Sequence, residues 1–338
     1  MEETRLLTDS REDLIYAANL IKSGKVVGIP TETVYGLGAD ASNPDAVKAV
    51  FAAKGRPADN PLIVHICSIT TVKILAHDVP ELFYRLAEKF WPGPLTMIVP
   101  KNKIVPYETS GGLETVGIRM PSHPVMRELI AMSGPIAAPS ANISGYPSPT
   151  TAQHVLKDMN GKIPAIIDGG VCNFGVESTV ICFDDRHTVR ILRPGSITKE
   201  MLEEIADKVI VDSAIINDIQ DGQKAMSPGM KYKHYSPAAD VVIVEGDIES
   251  FCRFVGENNS DGCFCLVSDG DSEYSIPCSY RTYGADSRQQ AHNLFARLRE
   301  LDEMGARKVF VRPPSKDGVG LAVYNRLLRA AGFEVISL

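Results

Sequence analysis

The 338-residue chain lacks the features that mark several large classes of protein. No run of about 18 apolar residues occurs, which argues against a membrane-spanning helix. The N-terminus has neither the basic start nor the apolar stretch of a signal peptide. The seven cysteines are odd in number, scattered, and include no Cys-x-x-Cys pair. We therefore expect a cytoplasmic protein with reduced thiols, no disulfide framework and no membrane association.

An excess of basic residues is also missing. The net charge is −7, and acidic residues outnumber basic ones in both halves of the chain. Dedicated nucleic-acid-binding proteins are usually basic overall, so the composition disfavours that class, although a local basic cleft stays open. The length corresponds to about two domains at roughly 150 residues each.

Several common catalytic motifs are absent from the sequence. It contains no Walker A motif, no Gly-x-Ser-x-Gly elbow and no His-Glu-x-x-His. The segment Gly318-Val-Gly320 lacks the third glycine of a dinucleotide-binding fingerprint. Acyl hydrolysis, zinc proteolysis and NAD chemistry therefore lose support.

Apolar periodicity predicts helices and strands that alternate irregularly over residues 1–211, which is typical of a mixed α/β sheet. Asn43-Pro44 is the expected start of a helix that ends at Lys54-Gly55. The segment Thr31–Gly38 is predicted to be a polar, glycine-bearing turn. Residues 212–237 contain Pro and Gly at positions that predict a linker. Regular βα alternation over residues 238–338 predicts a smaller Rossmann-like domain.

Two cations stand one residue apart where this helix ends in a Gly-Pro loop, namely Lys54 and Arg56. Arginine offers phosphate oxygens a planar fork, and lysine offers a point charge. With Asn60 and His65 nearby in sequence, the loop has the side chains to bind a triphosphate. The alternative is a solvated helix C-terminus, where cations are favoured by the helix dipole. Spacing alone leaves both interpretations open.

Other polar residues also follow or interrupt predicted strands. Ser140 and Asn142 stand at a strand–loop junction, where such residues are common turn formers. Arg119 lies in an otherwise apolar strand and needs a partner, because a buried unpaired charge is costly. A substrate carboxylate is one candidate partner, and an internal Asp or Glu is the commoner answer. Arg193 is a second candidate phosphate ligand or a surface arginine before a turn.

Seven segments, taken in order, resemble the YrdC-like family. They are Pro30-Thr-Glu-Thr-Val-Tyr-Gly-Leu, Lys54-Gly-Arg-Pro, Asn60-Pro-Leu, Phe90-Trp-Pro-Gly-Pro-Leu-Thr, Arg119-Met-Pro, Pro139-Ser-Ala-Asn and Glu177-Ser-Thr-Val. With the linker and second domain, the whole chain resembles the family's two-domain form, which makes threonylcarbamoyl-AMP. The resemblance implies an open twisted mixed sheet with helices and a concave active site in residues 1–211. It further implies a linker that covers the site in 212–237 and a smaller Rossmann-like α/β domain in 238–338.

The resemblance also implies the residues of the site. The signature constellation, to which catalysis is assigned, is Lys54, Arg56, Ser140 and Asn142. The implied ATP contacts are Arg56, Asn60, Thr115, Asn142, Arg193 and Tyr235. The implied threonine contacts are Thr33, His65, Arg119, Ser140 and Ser178. No dedicated protein ligand for a metal is implied, since Mg²⁺ is held mainly by the ATP phosphates.

The implied reaction converts L-threonine, bicarbonate or CO2, and ATP into threonylcarbamoyl-adenylate and pyrophosphate. A separate transferase complex then modifies the adenosine beside the anticodon of tRNA, and direct contact with tRNA stays open. Three alternatives remain: an RNA-binding module without catalysis, a carbamoyl-adenylate enzyme of the hydrogenase-maturation type, and a regulatory protein whose C-terminal domain senses a ligand. The second alternative is disfavoured because the chain lacks acylphosphatase-like and zinc-finger segments.

Overall fold

The computed structural model describes residues 3–55, 60–217 and 235–338. These residues form two β-sheets with helices packed against them. Arg56 and residues 218–234 of the predicted linker lie outside the described residues. Within the described parts of the chain, no helix is both long and apolar enough to cross a membrane.

The larger sheet mixes parallel and antiparallel pairs in the order β1-β8-β2-β3-β7-β4-β6-β5-β9-β10-β11. Its strands are β1 (Arg5–Leu7), β2 (Val27–Ile29), β3 (Gly36–Asp40), β4 (Ile63–His65), β5 (Leu95–Pro100), β6 (Thr115–Arg119), β7 (Ile136–Ala138), β8 (Ala165–Ile167), β9 (Thr179–Phe183), β10 (Thr188–Arg193) and β11 (Lys208–Val211). Its helices are α1 (Arg11–Lys22), α2 (Pro44–Lys54), α3 (Val72–Leu75), α4 (Glu81–Phe90), α5 (Tyr107–Ser110), α6 (Pro124–Ser133), α7 (Ala152–Met159) and α8 (Lys199–Glu203).

The smaller sheet is parallel throughout its described pairs, in the order β14-β13-β15-β12-β16. Its strands are β12 (Asp240–Glu245), β13 (Cys263–Val267), β14 (Ser279–Thr282), β15 (Lys308–Val311) and β16 (Val335–Ser337). Its helices are α9 (Ile248–Asn258), α10 (Ser287–Glu303) and α11 (Gly318–Ala330). The predicted fold class, a large mixed sheet followed by a smaller Rossmann-like α/β unit, is confirmed.

Helix α2 shows why its two ends could be predicted from the sequence. The side chain of Asn43 accepts hydrogen bonds from the amides of Asp45 and Ala46, which the first turn of the helix leaves unpaired. The helix ends at Gly55, whose φ of 63° is left-handed and therefore favours glycine. Lys54 is therefore the last helical residue before the chain turns.

The predicted turn over Thr31–Gly38 is wrong in its second half, because Gly36–Asp40 forms strand β3. Gly36 and Gly38 are needed there for close packing and not for a turn. A Cβ on Gly36 would lie 3.1 Å from the carbonyl oxygen of Pro139, and one on Gly38 would lie 2.8 Å from Cδ1 of Ile29. Glycine inside a strand often marks such a close approach of neighbouring chains.

The two sheet units pack against each other through α10 and α11. One buried apolar cluster includes Val34 and Val176 of the larger unit together with Phe295 of α10 and Leu327 of α11. Gly175 lies at this contact, and a Cβ there would come 2.4 Å from the carbonyl oxygen of His292. The packing therefore places α10 and α11 directly behind the loops that precede β9.

Candidate active site

A pocket of about 610 Å³, counted out to its open mouth, lies in the larger sheet unit and borders the smaller one. Its polar lining residues are Thr31, Thr33, Tyr35, His65, Arg119, Ser140, Glu177, Ser178, Arg193 and Tyr235. The parallel pairing of β4 and β6 puts His65 opposite Arg119 at the ends of their strands. A concave pocket with several converging polar groups is typical of a small-molecule site.

Arg119 pairs with an internal acid, Glu32, as the sequence led us to expect. Its Nη2 lies 2.6 Å from Oε1 of Glu32, and both side chains are only 4% exposed. Its Nη1 donates to Oγ1 of Thr33 at 3.0 Å, and its Nε donates to the carbonyl oxygen of Gly93 at 3.3 Å. Burial acts to raise the pKa of Glu32, but the charge of Arg119 outweighs it and holds that pKa below its usual value. This part of the pocket therefore contains a charged pair whose charges balance.

His65 is buried beside that pair. Burial, reinforced by the positive charge of Arg119, lowers the pKa of His65 to about 3. The imidazole is therefore neutral near pH 7 and can offer one donor and one acceptor. Its Nδ1 has no hydrogen-bond partner among the described residues.

Ser178 and Arg193 form the opposite side of the pocket. Arg193 donates from Nε to the carbonyl oxygen of Ser178 at 3.1 Å and from Nη2 to its Oγ at 3.2 Å. The hydroxyl of Ser178 also lies 2.8 Å from that of Thr96. Burial lowers the pKa of Arg193, whose guanidinium is nonetheless a charged donor at neutral pH.

The loop that carries Ser140 and Asn142 is held by Lys54. The ammonium of Lys54 donates to the carbonyl oxygens of Ser140 at 2.5 Å and Asn142 at 2.7 Å. The Ser140 hydroxyl in turn donates to Oδ1 of Asn142 at 2.5 Å. These three predicted site residues therefore lie together, although of the three only Ser140 lines the pocket as described.

Two further predicted residues do not line the pocket. Thr115 borders a smaller adjoining recess together with Ile63 and Thr96. Asn60 is fully buried, and neither amide atom of its side chain has a hydrogen-bond partner among the described residues. An unpaired buried amide is costly, so a polar ligand at this position would relieve it. Arg56, the remaining predicted residue, lies outside the described residues.

Tyr235 reaches the pocket from the far end of the predicted linker. Its ring packs on that of Phe295 with 5.2 Å between centroids. The residue has a φ of 64°, a left-handed conformation that is uncommon outside glycine. Burial raises the pKa of its phenol. Tyr235 is thus fixed by the smaller unit while it lines the pocket of the larger one.

Glu177, which lines the pocket, and Glu32, which pairs with Arg119, are two residues of the site that sequence reasoning did not select. Each lies inside a segment that carried the family resemblance, next to a residue that was selected. Glu177 binds Oγ of Ser148 at 2.5 Å and Nε of Arg326 at 3.0 Å. The only indication in the sequence was that each glutamate stands next to a predicted ligand. That position does not reveal which basic residue the glutamate pairs with.

Comparison with known proteins agrees with this arrangement. A family model for Sua5, YciO and YrdC proteins, described as "Telomere recombination", matches residues 19–195. A second model, "Threonylcarbamoyl-AMP synthase, C-terminal domain", matches residues 197–332. The threonylcarbamoyl-AMP synthase of Pyrococcus abyssi is 45% identical over 95% of this chain and 95% of its own. That of Bacillus subtilis is 43% identical over 99% and 98%.

A solved structure is also similar over nearly the whole chain. The crystal structure of Pyrococcus abyssi Sua5 complexed with L-threonine superposes with a TM-score of 0.92 at 42% identity, covering 99% of both chains. The chain belongs to the YrdC-like family, in its two-domain threonylcarbamoyl-AMP synthase form.

Proposed function

We propose that this chain is an L-threonylcarbamoyladenylate synthase, a nucleotidyltransferase that uses L-threonine, bicarbonate or CO2, and ATP. The observation that carries the proposal is the pocket that unites Arg119, His65, Ser178 and Arg193. Two relatives similar over nearly their whole length bear the name of this enzyme. L-threonine is bound in the similar Pyrococcus abyssi structure, which supports the amino acid as a substrate here.

The proposed chemistry has two steps. The threonine amine attacks CO2, forming the N–C bond of a carbamate and releasing a proton. A carbamate oxygen then attacks the α-phosphorus of ATP in line, and the bond to the bridging oxygen breaks so that pyrophosphate leaves with the electron pair. Little covalent work falls to the protein, so positioning and charge stabilisation should dominate. The mixed anhydride hydrolyses readily, which favours a site that excludes water.

We assign the threonine to the side of the pocket formed by Arg119. Its guanidinium and the hydroxyl of Thr33 are hydrogen-bonded to each other and can receive a carboxylate. Such a carboxylate must share Arg119 with Glu32, which lies 2.6 Å away. Neutral His65 and the hydroxyls of Ser140 and Ser178 supply further polar contacts for the amino acid.

We assign the nucleotide to the side formed by Arg193. Together with Lys54 and Arg56, and with Mg²⁺ that arrives as part of the Mg·ATP substrate, Arg193 offsets charge on the phosphates. Four further residues complete the proposed ATP contacts: Asn60, Thr115, Asn142 and Tyr235. The side-chain amide of Asn60 has no hydrogen-bond partner among the described residues, which is the observation that most favours a ligand there.

The product has a place in tRNA modification. We propose that the reaction takes place in the cytoplasm and that a separate transferase complex moves the threonylcarbamoyl group to the adenosine beside the anticodon. We also propose the predicted domain division, 1–211, 212–237 and 238–338, because β11 ends at Val211 and β12 begins at Asp240.

The test is pyrophosphate release from ATP, with threonine and bicarbonate each omitted in turn. We expect release only when both are present, with serine a poor substitute for threonine. Release with neither would instead identify an ATPase. Absence of release, together with tight salt-sensitive tRNA binding, would favour the RNA-binding module.

A further inference from the structure

A buried arginine of the smaller unit, Arg326, lies behind the Ser178–Arg193 side of the pocket. It belongs to α11, and its side chain is 0% exposed. Its Nε donates to Oε2 of Glu177 at 3.0 Å, and its Nη1 donates to the carbonyl oxygen of Pro194 at 2.5 Å. Its Nη2 donates to the carbonyl oxygen of Glu177 at 3.4 Å. One guanidinium thus holds two separate backbone segments of the larger unit.

Those two segments carry residues of the pocket. Glu177 immediately precedes Ser178, and Pro194 immediately follows Arg193. The pairing of β9 with β10 shifts register between Ile191 and Arg193. The strand ladder is therefore irregular where Arg193 leaves it, and the fork of Arg326 supplies a second constraint on the spacing of the two chain segments.

The carboxylate between these groups is fully engaged. Oε1 of Glu177 accepts from Ser148, and Oε2 accepts from Arg326. Burial acts to raise the pKa of Glu177, but the charges of Arg326 and Arg193 outweigh it and keep that pKa below its usual value. Arg326 also lies over the ring of Tyr235, 5.9 Å from its centroid. It consequently contacts two residues that line the pocket, Glu177 and Tyr235.

We propose that Arg326 is a positioning residue of the synthase, through which the C-terminal unit sets the geometry of Ser178 and Arg193. This inference rests on the proposed function, since it names what holds the substrate contacts in place. The requirement is for the planar fork of arginine and not merely for its charge. A lysine can pair with Glu177, but its single ammonium cannot reproduce the fork that spans Glu177 and Pro194.

The same interface contains a matched control. Arg299 of α10 is also buried, and its Nη1 and Nη2 donate to Asp158 at 3.0 and 2.7 Å. Its Nη2 also donates to the carbonyl oxygen of Pro147 at 2.6 Å. Neither Asp158 nor Pro147 is among the described residues that line the pocket. Arg299 therefore joins the units without contacting Ser178, Arg193 or Glu177, although Asp158 also accepts from the backbone amide of Ile143, next to Asn142.

The experiment compares full-length Arg326→Lys and Arg299→Lys with the unmodified chain. The readouts are KM and kcat for pyrophosphate release, threonine affinity by calorimetry, and melting temperature. For Arg326→Lys we expect KM for threonine and ATP to rise about tenfold, the factor that follows from losing one charged hydrogen bond. Arg299→Lys should raise both KM values less than Arg326→Lys does, even if the two variants lose the same melting temperature, because Arg299 does not contact Glu177 or Pro194.

Equal KM changes in the two variants would overturn the proposal, since they would trace the effect to docking of the units alone. Unchanged KM values in a folded Arg326→Lys variant would overturn it too. If that variant does not fold, Glu177→Gln/Arg326→Gln removes both charges together, and a KM above that of Glu177→Gln alone is expected; equal values would count against the inference. An unmodified chain that releases no pyrophosphate and binds no threonine would instead refute the proposed function itself.

Discussion

The two sides of the pocket neutralise their buried charges in different ways. On one side, Glu32 and Arg119 both come from the larger sheet unit and lie 2.6 Å apart. On the other side, Glu177 of the larger unit pairs with Arg326 of the smaller one at 3.0 Å. All four side chains are nearly inaccessible to solvent. The first pair is complete within one unit, whereas the second exists only when the two units are docked.

This difference indicates how much of the site each unit supplies. A buried carboxylate without its partner is strongly destabilising, because its desolvation is no longer offset. The Glu32–Arg119 side therefore depends on local folding, and the Glu177–Arg326 side depends on the interface. Substitutions in the first pair should alter substrate binding directly. Substitutions in the second pair should alter substrate binding through the position of neighbouring residues.

The largest expected effect tests the self-contained side. Arg119→Ala removes both the partner of Glu32 and the proposed threonine contact, so we expect a loss of about 3–5 kcal/mol in the free energy of unfolding. Threonine-dependent turnover should fall by at least about a hundredfold, with a smaller effect on ATP binding. Urea unfolding, threonine calorimetry and ATP binding measure the three quantities.

A double variant separates the two roles of Arg119. Glu32→Gln/Arg119→Met removes both charges together, so it should recover much of the stability while threonine binding stays weak. If the double variant binds threonine as the unmodified chain does, Arg119 holds Glu32 and does not hold the substrate. Equal losses of threonine and ATP binding in Arg119→Ala would also refute the assignment.

The second prediction uses pH to compare a buried histidine of the pocket with a histidine near the interface of the two units. The pKa of His65 is lowered to about 3 in the folded state, by burial first and then by the charge of Arg119. Because the neutral form is favoured on folding, its contribution is fully present above the unfolded pKa of about 6.5 and is lost as pH falls toward the folded pKa. Between pH 6.5 and 5 the chain should lose about 1.6 kcal/mol from this residue alone.

Urea unfolding of the unmodified chain and of His65→Gln at both pH values measures that loss. On acidification, His65→Gln should lose less free energy of unfolding than the unmodified chain, and the difference should equal this contribution. His154, near the interface and beside Arg299, has its pKa lowered to about 4 by burial and then by that arginine. Because both folded pKa values lie below this window, His154→Gln should change the pH dependence between pH 6.5 and 5 by a similar amount. The two variants should differ only as the pH falls to 4 and below, where the contribution of His65 is still being lost. A larger change for His154 than for His65 below pH 4 would reverse the comparison.

Much of the fold could be predicted because its signals are local. The Asn43 cap, the Gly55 stop and the apolar strands each depend on neighbours within a few residues. Four strands were missed, namely β1, β3, β11 and β14. Strands β1, β11 and β14 are short and give little periodicity to detect. Strand β3 was missed because glycine is typical of turns, whereas here it permits close packing.

The candidate site was predictable only in part. The ordered segments of the family resemblance selected seven residues that line one pocket in the structure, namely Thr33, His65, Arg119, Ser140, Ser178, Arg193 and Tyr235. Their proposed roles stay predictions. The pair of Glu177 with Arg326 could not be foreseen, because its members are separated by 149 positions and meet only through the packing of two units. Nothing in the local sequence of α11 distinguishes Arg326 from an ordinary helix-surface arginine.

The smallest expected effect comes from a third ionic contact between the units. Lys157 and Glu303 lie 2.7 Å apart, but their side chains are 58% and 54% exposed. Exposed pairs contribute roughly 0–1 kcal/mol, so Lys157→Ala should change the free energy of unfolding by less than about 1 kcal/mol.

The adjacent residue, Asp158, pairs with Arg299 in a buried setting. Asp158→Asn should therefore cost several times more in the same urea unfolding measurement. Equal costs would mean that distance and not burial sets the strength of these contacts, and the contrast drawn between the two sides of the pocket would lose its physical basis.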